Sequence, residues 1–137
     1  IEILENFKKK LKGKMYERCL YVLKENERVL EAAKTLKSGS LKRFGKLMYG
    51  SHEGLQHQYE VSCKELDFLV DFSREKDFIY GSRMMGGGFG GCTINLIEED
   101  KIDSYVKEVA SAYFDKFNIK LDAISVRPDT GTKIFKD

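Results

Sequence analysis

The chain of 137 residues has no tryptophan, a single proline and three cysteines. So little proline leaves no room for a collagen-like or polyproline architecture. Cys19, Cys63 and Cys92 are odd in number, far apart and form no CxxC pair, which argues against a disulfide framework and a cysteine-based zinc module. They read as free, mostly buried thiols of a reducing compartment, so a cytoplasmic location is expected. No apolar run nears the ~20 residues of a membrane span, and no secretory leader pattern is seen. An excess of one charge is lacking too. The 24 Lys and Arg against 22 Asp and Glu leave a net charge of +2, too balanced to argue for a nucleic-acid or membrane partner.

What is present suits one globular domain: 42% hydrophobic and 34% charged residues, without internal repeats or linkers. Apolar positions recur at helical spacing over 14–37, where Met15, Cys19, Val22, Leu23, Val29 and Leu30 share a face. Ser38-Gly39-Ser40 reads as a stop, a turn and a new N-cap. A second helix runs from Leu41 towards Tyr59. Gly45, Gly50 and Gly54 weaken it by ~1 kcal/mol each unless a neighbour packs close there. A third helix is predicted over 63–74. The period then changes to two, giving strands over 78–84 and 92–97. A helix over 101–117, a third strand over 121–126, a turn at 128–131 and a short last strand over 133–136 complete the order. Helices segregated from a small, mostly antiparallel sheet of four strands make an α+β domain.

Between the first two strands lie five glycines in six positions: Gly86, Gly87, Gly88, Gly90 and Gly91, interrupted by Phe89. Glycine costs backbone entropy, so such a run implies left-handed φ or a close approach to something, often phosphate. Gly86-x-Gly88-x-x-Gly91 matches the dinucleotide pattern GxGxxG in form only. That pattern must open a helix, and Thr93-Ile94-Asn95-Leu96-Ile97 leaves this loop as a strand. No Lys-Ser or Lys-Thr comes after the glycines, so the run is not a Walker A loop either. Two readings stay open from the pattern: a hairpin whose glycines serve packing, and a loop whose bare backbone meets phosphate.

Other candidates are weaker. His52 and His57 sit ~140° apart on a helix, so they form no metal face, and solvent-exposed or locally bonded imidazoles are expected. Glu65, Asp67 and Asp71 are spaced as a polar helix face with no acid–base role. The basic run from Lys8 to Lys14 reads as a solvated helical face. Arg83 abuts the loop and could brace the glycines, reach a carboxylate of another domain, or form a plain ion pair. Cys92 opens a strand, so a buried, inert thiol is expected.

Gly81-Ser82-Arg83-Met84 leading into Gly86–Thr93 closely resembles the third signature motif of the galactokinases, within the GHMP small-molecule kinases. Glu25–Leu30, Phe44–Met48 with Ser51-His52, and Tyr59–Asp67 resemble further blocks of the same family, in family order. Met85 departs from the pattern, standing where the family usually has threonine. The resemblance runs from about Tyr16 to Asp137 and implies a ferredoxin-like C-terminal domain spanning 1–137. It implies that the whole enzyme moves the γ-phosphoryl of ATP to the C1 hydroxyl of α-D-galactose, with Mg²⁺. The sugar motif, the phosphate loop and the catalytic aspartate would then belong to an N-terminal domain outside this chain, which would also hold most of the ATP and Mg²⁺ contacts. Gly86, Gly87, Gly88, Gly90 and Gly91 would support the nucleotide, and no catalytic or metal-binding residue is expected here. The 137 residues alone would be inactive. A kinase for a related sugar such as N-acetylgalactosamine, and a non-catalytic sugar or nucleotide sensor, are the alternatives.

Overall fold

A computed structural model describes residues 1–128, 131 and 134. The elements are α1 (Glu2–Glu5), α2 (Met15–Lys37), α3 (Leu41–His57), α4 (Lys64–Arg74), β1 (Ile79–Met85), β2 (Cys92–Ile97), a short 3-10 turn at Glu99–Lys101 and α5 (Ile102–Phe117). Helix α1 was not expected, whereas α2 to α5 and both central strands fall within one or two residues of the sequence expectation. Their periodicity is local and strong, which is why it survives folding.

β1 and β2 pair antiparallel, with Met85 opposite Cys92 and Ile79 opposite Ile97. The register slips between Ile79 and Gly81, so Tyr80 is an extra residue in the ladder. α3 packs on β1 at this irregularity. A Cβ placed on Gly45 would stand 1.7 Å from the Tyr80 carbonyl oxygen, and one on Gly81 would stand 2.4 Å from the Gly45 Cα. Helix and strand backbones therefore touch directly, through two glycines. The same economy recurs at Gly54, where a Cβ would meet the buried Tyr21 ring of α2 at 2.4 Å. Gly50 is different, since only the Arg28 side chain comes near, at 3.5 Å.

The other side of the domain is an aromatic core. Leu69, Ile79, Tyr105, Val109 and Tyr113 are buried together, with Phe68, Phe72, Phe78 and Phe117 packed on them. Phe68 and Phe117 meet edge-on, with ring centroids 5.5 Å apart. This cluster fastens α4 and α5 to the strands.

Two expectations need correction. Among the described residues the sheet has two strands, not four. Residues 121–126, expected as a third strand, form none. β-branched and apolar residues suit a strand, but a strand also needs a ladder partner, and neither edge of the β1–β2 pair takes this segment. Leu121 packs on the core while Ile124 and Val126 stay exposed. The fourth expected strand, over 133–136, and the turn at 128–131 lie largely outside the described residues. The thiols are also not buried. Cys19 and Cys92 are exposed and Cys63 is half-buried; Cys92 is exposed because β2 begins at the uncovered end of the hairpin.

The glycine contacts predict opposite signs for one methyl group. Gly45→Ala should cost about 3 kcal/mol or more, because the helix must back away from β1. Gly50→Ala should stabilise by about 0.5–1 kcal/mol through helix propensity. Urea denaturation of both variants measures this, and a Gly45→Ala protein within about 1 kcal/mol of the parent would show the backbone contact to be slack.

Candidate functional site: the glycine loop and its supports

The loop between β1 and β2 takes a conformation that few side chains allow. Gly86, Gly88, Gly90 and Gly91 have φ of +89°, +87°, +137° and +100°, and Phe89 has +59°. Gly88 is bare for a reason inside the chain. A Cβ there would stand 2.1 Å from the carbonyl oxygen of Val61. That same oxygen accepts the Phe89 N–H at 2.7 Å, so the tip of the loop is pinned to the segment before α4. Gly86, Gly87 and Gly90 have nothing within 4 Å of an added Cβ, and the Phe89 side chain is exposed. Gly87 does not take a positive φ either. Its lack of a side chain answers no demand of this chain's backbone or packing.

The segment that receives the loop is held from three helices. Val61 donates its N–H to Leu55 of α3 at 3.0 Å. Glu60, itself at φ +60°, lies 3.4 Å from Lys14 Nζ and 3.3 Å from Arg18 Nη2 at the start of α2. Ser62 Oγ donates to Asp67 Oδ1 of α4 at 2.5 Å.

The entry to the loop is held by His52. Its side chain is almost wholly inaccessible, on the face of α3 that carries Gly45 and Met48. Nδ1 accepts the Met84 N–H at 3.2 Å. The neutral ring therefore keeps its proton on Nε2, which lies 3.2 Å from Asp67 Oδ1 but off the line of a hydrogen bond. Burial pushes the His52 pKa below its usual value of 6.5, with Asp67 pulling the other way. A second proton would have to go to Nδ1, where it would face the Met84 N–H.

Arg83 turns away from the glycines. Its Nη1 lies 3.7 Å from Glu25 Oε1, and Glu25 also accepts from Ser51 at 2.6 Å and pairs with Arg28. Of the three readings offered by the sequence, the plain ion pair is the one seen, and it joins β1 to α2 and α3. The exposed Lys8, Lys9 and Lys10 lie before α2 in a turn-rich stretch, not on a helix. Met85 is half-exposed, at the foot of the loop. Among the described residues no cluster of His, Cys, Asp or Glu could hold a metal ion.

The family profile described as "GHMP kinases C terminal" matches residues 30–116, a span containing the loop and all of its supports except Lys14 and Arg18. The chain belongs to the GHMP kinases. Curated relatives narrow the likeness to one branch. A galactokinase of Thermosipho africanus is 46% identical over 108 residues, covering 79% of this chain and 31% of that protein. A galactokinase of Thermotoga neapolitana is 43% identical over 120 residues, covering 88% and 34%. Among solved structures, Lactococcus lactis galactokinase complexed with galactose superposes with a TM-score of 0.81 at 31% identity, over 87% of this chain and 31% of that one. This GHMP kinase C-terminal domain thus spans about a third of the length of the curated relatives it matches.

The residues the sequence reading missed are His52, Ser62 and Asp67. His52 was expected in solvent or in a local hydrogen bond, and is instead buried with a partner 32 residues away. The signal was present, since His52 lies at i+7 from Gly45 and i+4 from Met48, on the face that the strand covers.

The His52 geometry predicts a pH dependence. Its folded pKa lies below 6.5, so its stabilisation is complete above pH 6.5. It is lost as pH falls towards the folded value, while the unfolded chain takes up a proton that the native ring refuses. Asp67, Asp71 and Arg74 are the charged groups acting on the ring. Urea denaturation between pH 7.5 and 5.5 should show stability falling by up to about 1.4 kcal/mol per pH unit. The fall should be much flatter in His52→Asn, whose Oδ1 can still accept the Met84 N–H. Parallel slopes for the two proteins would mean that His52 titrates normally.

Proposed function

We propose that residues 1–137 form the C-terminal domain of a galactokinase, whose whole chain transfers the γ-phosphoryl of ATP to the C1 hydroxyl of α-D-galactose. The observation that carries this role for the domain is the pair of demands on its loop. Gly88 is bare because Val61 presses on it from within, whereas Gly87 is bare with open space around it. Something from outside this chain therefore has to come close, and a phosphate-holding partner domain or the phosphates themselves suit a loop with unobstructed N–H groups. Gly86, Gly87 and Gly90 would face the nucleotide side, with Gly88 and Gly91 setting the curvature.

Phosphoryl transfer is mostly positioning and charge stabilisation, so a domain can contribute to it without a reacting side chain. ATP supplies the phosphoryl group. Mg²⁺ supplies charge neutralisation and would be held by the other domain, since no suitable donor cluster is found among the described residues here. The three unpaired thiols support a reducing, cytoplasmic setting. The galactokinase relatives support galactose over a related sugar as the acceptor.

Gly87→Val is the cleanest test, because nothing in this chain opposes it. The stability of the domain should stay within about 0.5 kcal/mol. In the whole kinase kcat/KM for ATP should fall at least tenfold, measured by steady-state kinetics. Unchanged kinetics with ordinary ATP affinity would remove the loop from the nucleotide site. The 137 residues by themselves should show no galactose phosphorylation, and turnover by this piece alone would contradict the division of labour.

A further inference from the structure

The supports of the glycine loop's entry and of its tip converge on Asp67. From the entry, the Met84 N–H is received by His52 Nδ1, and His52 Nε2 faces Asp67 Oδ1 at 3.2 Å, close in charge but not hydrogen-bonded. From the tip, the Phe89 N–H is received by the Val61 carbonyl, and the next residue, Ser62, donates to Asp67 Oδ1 at 2.5 Å. Resting on the nucleotide-loop reading above, we propose that His52, Ser62 and Asp67 act together as positioning residues that hold the Gly86–Gly91 loop in its nucleotide-facing form.

Three observations support this. The loop needs outside help, because five of its six residues carry no side chain and cannot fix themselves by packing. The backbone is held where it would not rest by itself. Phe89 and Glu60 both have left-handed φ, on the two sides of the Val61 contact, and a non-glycine residue stays there only when its surroundings impose it. The supports are also more fixed than the loop. His52 is buried in α3, Asp67 sits in the first turn of α4, and Val61 is tied back to Leu55. None of the three residues reaches the open side of the loop, where Gly86, Gly87 and Gly90 have free space, so their action is indirect.

The test removes one hydroxyl. In Ser62→Ala, hydrogen exchange at the Phe89 amide should speed up about tenfold relative to the Val70 amide of α4, which reports the core. Ser62→Thr keeps a hydroxyl and should keep the parent ratio. In the whole kinase, Ser62→Ala should raise KM for ATP several-fold while KM for the sugar and kcat change little, and Ser62→Thr should restore it. If Phe89 and Val70 exchange move together in Ser62→Ala, the positioning role is overturned, whether the variant is intact or globally weakened. If the Phe89 amide loosens selectively but ATP kinetics do not respond, the positioning of the loop stands and its assignment to the nucleotide falls.

Discussion

The contact on which the arrangement depends is the one between two backbones, α3 at Gly45 and β1 at Tyr80-Gly81. A Cβ on either glycine would lie inside the other element, at 1.7 Å and 2.4 Å from its nearest atom. Ordinary packing keeps a helix axis about 10 Å from the element it covers. Removing both side chains lets this helix come closer to the strand. Further along α3, Ser51 reaches Glu25 of α2 and His52 reaches the Met84 amide of β1.

The distances along the two elements match. From Gly45 to His52 is seven residues, a rise of ~10 Å on a helix. From Gly81 to Met84 is three residues, ~10 Å on a strand. The glycine contact and the imidazole contact are thus two points of one seam. The seam ends where β1 ends, at the foot of the loop. Burying an imidazole there is costly unless its nitrogen is used, and the Met84 N–H makes that use. The result is a strand terminus fixed by a helix one layer away, without a side chain entering the loop itself.

Most of the helical and hairpin order was legible because it is written locally. Apolar spacing marked α2 to α5, and the glycine run marked the turn between β1 and β2. For the second glycine set, Gly45 and Gly54, the sequence offered a close neighbour as one reading, and one is there, but it could not name Tyr80 and Tyr21 as the residues that fill those spaces. His52, Ser62 and Asp67 fall between the two cases. Each lay within a block that resembled the galactokinases, yet their meeting depends on three elements converging, which no spacing rule encodes. Residues 121–126 show the converse failure. Leu121, Ile124 and Val126 suit a strand, but strand formation belongs to a pair of segments, and the described sheet offers them no partner. Cys92 was misplaced for a related reason, since position in a strand says little about burial at the open end of a two-stranded hairpin.

A loop rich in glycine invites description as flexible, and the contacts here argue otherwise. Flexibility would be expected if the loop met nothing, but Gly88 fits against Val61 with no room for a methyl group and Phe89 gives its N–H to the same residue. Glycine in this position removes side chains that would obstruct an approach and also permits the φ values that the fixed path requires. The two functions are divided among neighbours: Gly88 serves the inward contact, Gly87 the outward space. A binding surface with its backbone donors already placed has less ordering to do when a ligand or partner arrives, and that saving appears as affinity or as transition-state stabilisation. If the acid, base and metal ligands of the proposed reaction lie in the other domain, a loop held ready in this way is the physical contribution this domain's residues can make.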